Sequence, residues 1–219
     1  MNIKHLADFR WIRLAIVGSL LTFAHLALGS PPVLGKCVAC HGADGHAHGN
    51  LAFPVIAGIP PVHIQEALYA HKDGARKCGI VPLMCDTAKG LSDEEVVQVA
   101  EYYGTQERLS SSEDYDEELA AKGEQIHEKL CSRCHVPPDD AEVEDALGIP
   151  LHGQRSRYLR YAIESYLDGT RENLLPAMAE KLESLEEEEI DALVNYYISY
   201  RPEVATTSPE DAPPSEDEG

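Results

Sequence analysis

Basic residues are scarce in this chain: 18 Lys and Arg stand against 38 Asp and Glu, a formal net charge of −20. Nucleic acid and anionic lipid are bound through cationic side chains, so both are poor partners for such a surface. Acid-rich surfaces also occur in proteins from salty habitats. Alternation with strand period is missing after residue 29, and the chain reads as all-α. A glycine-rich nucleotide fingerprint is missing too, which argues against a dinucleotide cofactor. The uncharged stretch from Leu14 to Gly29 contains His25 and is short for a bilayer span. Preceded by Lys4, Arg10 and Arg13, it has the layout of a signal peptide over residues 1–29, with small residues placing cleavage after Ala24 or Gly29. The protein is therefore expected in the periplasm, and on the membrane only if this leader stays uncleaved as an anchor.

What is present is a repeat. Cys37-Val38-Ala39-Cys40-His41 recurs 94 residues later as Cys131-Ser132-Arg133-Cys134-His135. In a C-x-x-C-H pentad two thiols add to the vinyl groups of one porphyrin, and the adjoining His is held where it can ligate the iron. One pentad could be accidental, or a redox or zinc site; two at a fixed offset are much harder to dismiss. The same step takes Pro82 to Pro176, Met84 to Met178, and Tyr102-Tyr103 to Tyr196-Tyr197. Each repeat thus offers a His and, 43 residues on, a Met after a short Pro-containing loop. His with Met is the axial pair of electron-transfer c-type haems. The expectation is two covalently attached haem c groups, held by Cys37, Cys40, Cys131 and Cys134 and ligated by His41, Met84, His135 and Met178. No catalytic residue is assigned. Units this small have little core of their own, so a wrapped haem supplies apolar contact and the units without it should be poorly folded.

Taken in order, the first repeat spans 30–104, a polar, Ser-rich linker 105–115, the second repeat 116–201, and an acidic, Pro-rich tail expected to be disordered 202–219. A helical pattern from Asp116 to Leu130 leads into the second pentad, whereas Pro31 and Pro32 shorten or distort its counterpart before the first. The glycine-rich loop Gly42 to Gly49 carries His46 and His48, read as a solvated loop rather than a metal site. Pro60-Pro61 opens a helix running to Gly74, matched by one from Arg155 to Gly169, each ending at a glycine suited to a left-handed cap. Final helices run from Ser92 to Tyr103 and Leu185 to Tyr200, with capping boxes Ser92/Glu95 and Ser184/Glu187. The Tyr pairs near their ends read as core packing.

On the distal side of the first repeat the candidates are His63, His71, Met84 and Cys85. His63 and His71 fall opposite Tyr158 and Tyr166, so they read as helix-surface residues, whereas Met84 falls opposite Met178. Cys78 and Cys85 are the cysteines left over, and a disulfide stiffening the Met84 loop suits an exported protein. Free thiols, a transient redox role, or Cys85 thiolate on the iron are the alternatives.

These residues resemble the dihaem class I c-type cytochromes, comprising cytochrome c4 and the cytochrome subunit of flavocytochrome c sulfide dehydrogenase. The resemblance covers Gly29 to about Arg201. Its marks are the paired pentads, Pro54-Val55-Ile56-Ala57-Gly58 against Pro150-Leu151-His152-Gly153-Gln154, the Gly-x-Arg segments at Gly74 and Gly169, and Leu91-Ser92-Asp93-Glu94-Glu95. It implies two cytochrome folds about a pseudo-twofold axis, with haems close enough to exchange electrons. It further implies backbone carbonyls of Pro54 and Pro150 on the proximal rings, and Arg76 and Arg171 facing haem propionates. Gln125 to Leu130 and Val136, flanking the second pentad, are similar to the sulfide dehydrogenase subunit, while the Met84-Cys85 pairing departs from either pattern.

The expected function is an exported dihaem electron carrier working between a donor and an acceptor redox protein. A flavoprotein sulfide dehydrogenase subunit and a terminal oxidase are the partners considered. The competing class is a haem enzyme acting on a small sulfur or nitrogen compound at one haem with an exchangeable distal ligand. Methionine at both distal positions argues against it.

Overall fold

In the computed structural model of the chain the described residues are 30–48, 52–79, 82–172 and 175–202. The expected leader and the tail beyond Pro202 lie outside them. The chain divides into two compact units, Met1–Pro32 and Val33–Gly219. Both pentads belong to the second.

Among the described residues the elements are helical, and the one β-type pairing is an isolated antiparallel bridge, Arg76 to Arg171. In the first repeat a 3-10 turn, Pro32–Lys36, precedes the one-turn helix α1 (Val38–His41), followed by α2 (Pro61–Asp73), α3 (Pro82–Lys89) and α4 (Asp93–Gly104). The second repeat has α5 (Glu117–Leu130), a 3-10 turn at Val143–Asp145, α6 (Ser156–Leu167), α7 (Pro176–Glu183) and α8 (Glu187–Ile198). The fold is all-α, two tandem helical halves related by the internal repeat.

Local sequence explains most boundaries. Pro61 occupies the first turn of α2, where its missing N–H costs nothing, and Gly74 closes the helix at φ 82°. Asp116 caps α5 by accepting from the Leu119 amide, and Ser92 and Glu95 form the reciprocal box of α4. Two expectations are corrected. The box on the last helix is Glu186 with Glu189, not Ser184 with Glu187, because α8 starts two residues later than the sequence pattern suggested. The methionines sit at the third position of short helices, α3 and α7, rather than after open loops.

Each repeat has its own apolar core. Val33, Leu34, Ile64, Leu68, Val96, Val99 and Tyr103 fill the first; Leu159, Ile190, Leu193, Val194, Tyr197 and Ile198 the second. In the second, α5 crosses α8 at Gly123, where an added Cβ would lie 2.1 Å from the Ala192 carbonyl oxygen. Only glycine lets the two backbones come this close.

Candidate functional site

Both pentads fold into the same turn. The amides of Cys40 and His41 reach the Cys37 carbonyl at 3.2 and 3.0 Å, and those of Cys134 and His135 reach the Cys131 carbonyl at 3.0 Å each. The turn places two sulfurs and one imidazole on the same side of the chain. His41 Nδ1–H donates to the Pro54 carbonyl at 3.2 Å, and His135 Nδ1–H donates to the Ile149 carbonyl at 2.8 Å. Each bond fixes the ring and leaves Nε2 as the free lone pair a metal needs. Burial holds both imidazoles below their ordinary pKa, so they are neutral and able to ligate.

The acceptor on His135 is therefore Ile149, not the Pro150 expected from aligning proline with proline. The register is set by glycines instead. Gly58 and Gly153 take positive φ, 63° and 73°, and their amides donate to the equivalent carbonyls of Tyr103 and Tyr197 at 3.0 and 2.8 Å. Matching these glycines pairs Pro54 with Ile149, Val55 with Pro150 and Ala57 with His152. The second repeat carries one extra residue between its histidine and that carbonyl.

Around His41 an apolar cavity of about 150 Å³ is lined by Cys37, Cys40, Met84, His71 and Tyr158. Two thiols, a neutral imidazole and a thioether around an apolar space are the donor set that haem c requires, and the chain fits that group. Met178 heads α7 as Met84 heads α3. Cys78 and Cys85 form a disulfide, as expected. His71 and His63 are not surface residues: they are 6 % and 8 % exposed. His71 Nδ1 lies 3.2 Å from Cys78 Sγ, and burial pulls its pKa down to about 4. His63 Nε2 lies 3.1 Å from the Ala146 carbonyl of the other repeat. The His46 and His48 loop is only half solvated, since His46 is buried and its Nε2 accepts from the Leu109 amide at 3.0 Å.

Arg76 and Arg171 meet at the junction of the repeats. The Lys77 amide donates to the Thr170 carbonyl at 3.0 Å and the Glu172 amide to the Ala75 carbonyl at 2.8 Å, a twofold pattern about the two arginines. Arg76 Nη2 donates to the Tyr158 hydroxyl at 2.7 Å, and Arg171 lies over the Tyr166 ring. Burial alone would raise the Tyr158 hydroxyl, but Arg76 and Arg171 outweigh it and hold it below the ordinary phenol range. No carboxylate forms an ion pair with either arginine among the described residues.

Three residues to which the sequence assigned no bridging role tie the proximal walls together. The Gln154 side chain brackets Val55, accepting from its amide at 2.7 Å and donating to its carbonyl at 2.9 Å. Arg155 Nη2 donates to the His46 carbonyl at 2.8 Å. Arg108, in the supposed linker, is 6 % exposed and donates to carbonyls of His152, Val55, Ala57 and Pro150 at 3.1, 3.3, 2.9 and 3.5 Å.

Comparison with known proteins places this geometry. The family model for cytochrome c oxidase, cbb3-type, subunit III matches residues 118–196. The thiosulfate dehydrogenase electron acceptor of Thiomonas intermedia is 30% identical over 177 residues, covering 74% of this chain and 77% of that protein. A cytochrome c4 from Thiocapsa roseopersicina is 30% identical over 153 residues, covering 66% and 76%. The reduced recombinant cytochrome c4 of Pseudomonas stutzeri has the same fold, with a TM-score of 0.62 at 23% identity over 76% of this chain and 94% of that one.

Proposed function

The chain belongs to the cytochrome c4 family of dihaem class I c-type cytochromes, and from that premise we propose that His41 with Met84 and His135 with Met178 are its axial pairs, and that its electrons come from a dehydrogenase of a reduced inorganic sulfur compound. The protein carries two covalently attached haem c groups and passes electrons rather than transforming a substrate. Bound haem iron supplies a one-electron couple. The chain supplies the thiols of Cys37, Cys40, Cys131 and Cys134, two oriented neutral imidazoles, and apolar walls that keep water off the donor atoms. The observation that carries the ligand reading is the pair of Nδ1–H bonds to Pro54 and Ile149, which present each Nε2 in one orientation. Arg76 and Arg171, half-buried side by side without an ion partner among the described residues, suit the haem propionates.

The sulfur-compound donor is supported by similarity to a protein named as the electron acceptor of thiosulfate dehydrogenase, and by the likeness of the second pentad's flanks to the sulfide dehydrogenase cytochrome subunit. The acceptor is a second redox protein, with a terminal oxidase the class considered. We place the protein in the periplasm, its domains spanning 30–104 and 116–201; among the described residues no helix is long and apolar enough to cross a membrane. Met84→Leu and Met178→Leu test the ligands. Each keeps the volume and removes the donor, so each should make one of the two reduced haems bind carbon monoxide. An unaltered spectrum in either variant removes that methionine from the assignment. Mixing the protein with a thiosulfate dehydrogenase or a sulfide-oxidising flavoprotein and its substrate tests the donor. Failure of both to reduce the haems would discard the sulfur reading and leave the ligand assignment standing.

A further inference from the structure

Arg108 has no counterpart in either repeat, yet its contacts are paired by the repeat. In the register set by Gly58 and Gly153, Val55 is equivalent to Pro150 and Ala57 to His152. These are the four carbonyls that the guanidinium binds, two from each proximal wall. The shorter bonds go to one equivalent pair, Ala57 at 2.9 Å and His152 at 3.1 Å. The longer go to the other, Val55 at 3.3 Å and Pro150 at 3.5 Å. Both glycines face the same side chain: an added Cβ would lie 3.1 Å from Arg108 Cβ at Gly58 and 3.4 Å from Arg108 Nε at Gly153. One residue sits on the local twofold axis and holds both walls.

Those walls carry the proximal histidines. Val55 follows Pro54, which accepts from His41, and Pro150 follows Ile149, which accepts from His135. No carboxylate pairs with Arg108 among the described residues; four carbonyls accept from it, and a second buried cation, Arg155, lies near enough to act on it. A guanidinium stays protonated at any pH the protein meets, and a buried charge acts through a low dielectric. Adding an electron to a group beside a fixed cation is favoured, and a cation on the axis favours it equally on both sides.

We propose that Arg108 is a positioning residue for electron transfer, a single guanidinium that locks the two proximal walls in register and raises the reduction potentials of both haems together. The inference rests on His41 and His135 being the proximal ligands.

The test is a spectroscopic redox titration of the full haem-loaded protein. Arg108→Gln keeps hydrogen-bonding capacity and removes the charge, and should shift both reduction equilibria toward the oxidised form by tenfold or more, about 59 mV for a one-electron couple. Arg108→Lys keeps the charge and loses the planar fork. It should hold both potentials within threefold of the parent while amide hydrogen exchange at Gly58 and Gly153 speeds up at both sites. A shift at one haem only, no shift in the Gln variant, or a Lys variant that falls as far as Gln overturns the proposal. If Arg108→Gln does not retain its haems, the Lys variant decides alone: faster exchange on one wall only, or fallen potentials, sinks it. A parent protein without two His-ligated haems would instead sink the ligand assignment on which the inference stands.

Discussion

In the second repeat a 14-residue helix, Glu117–Leu130, leads into the pentad and crosses Glu187–Ile198 at Gly123; in the first, the turn Pro32–Lys36 stands in its place. The first repeat has a disulfide between Cys78 and Cys85 where the second has none, and an exposed Lys36 to Glu95 pair at 2.8 Å that adds little. The second instead buries two histidines, His127 and His152, ring against ring at 5.1 Å, within the Tyr196-Tyr197 pair. Tyr197 hydroxyl lies 3.0 Å from His127 Nδ1, and Tyr196 hydroxyl 3.2 Å from His152 Nε2. The equivalent positions of the first repeat are Val33 and Ala57, which carry no proton to gain. The second copy is thus braced by helix packing and a polar aromatic cluster, and the first by a covalent cross-link onto its methionine-bearing helix α3.

The sharpest break in this comparison is Gly123→Ala. The new methyl would meet the backbone of Ala192, which has no rotamer to move, so the α5–α8 crossing must open. We expect a loss of about 3 kcal/mol or more in the stability of the second repeat, read from a denaturant melt followed at its haem, with the first repeat melting as before. Equal loss in both would show that the repeats unfold as one body.

Next is the cross-link. Replacing Cys78 and Cys85 together by Ser should cost about 2–3 kcal/mol through the freedom restored to the unfolded loop, and only the first repeat should register it. Met84, the proposed ligand adjoining Cys85, should become easier to displace. A disulfide-free protein with an unchanged melt would assign the bracing of α3 to packing alone.

The smallest effect is the share of the pH dependence that the His127 and His152 pair adds to the second repeat, since buried His71 gives the first repeat a dependence of the same sign. Burial lowers the His127 pKa to about 4 and the His152 pKa to about 3, against an ordinary value of 6.5. Both are neutral in the folded protein and take up protons on unfolding in the window from about 6.5 down to those values. Stability therefore rises with pH there, is nearly fully present above about 7, and falls as pH drops, by about 1.4 kcal/mol for the pair between pH 7 and pH 6. Replacing both by Gln should flatten the dependence in a melt series followed at the haem of the second repeat, while the share from His71 in the first repeat persists; an unchanged slope at the second haem would place its origin elsewhere.

What could be read from sequence was whatever is local or occurs twice. The pentads and the methionines occur twice, while the Ser92/Glu95 cap and the Cys78–Cys85 pairing occur once and are short-range chemistry that the structure shows. The proximal carbonyl of the second repeat was misplaced by one residue because prolines are conspicuous in a sequence, whereas the positive φ that sets the register belongs to Gly58 and Gly153. His63 and His71 read as surface residues because the repeat sets Tyr158 and Tyr166, not further ligands, opposite them. Their burial comes from the cavity and from the neighbouring repeat. Arg108 was invisible for another reason: internal repeats reveal only what occurs twice, and it occurs once, in a stretch whose composition is that of a tether. The paired glycines that make room for it are the only signal that could have found it.

The bonds from Gln154 to Val55 and from Arg155 to His46 join positions 99 and 109 residues apart. A ribosome delivers the first repeat well before either partner exists, so the early half emerges with its proximal wall unfinished. Contacts of such long sequence separation form late and slowly. The half that is synthesised first is therefore the one completed last, and its haem pocket acquires its final shape only when the second half has folded against it.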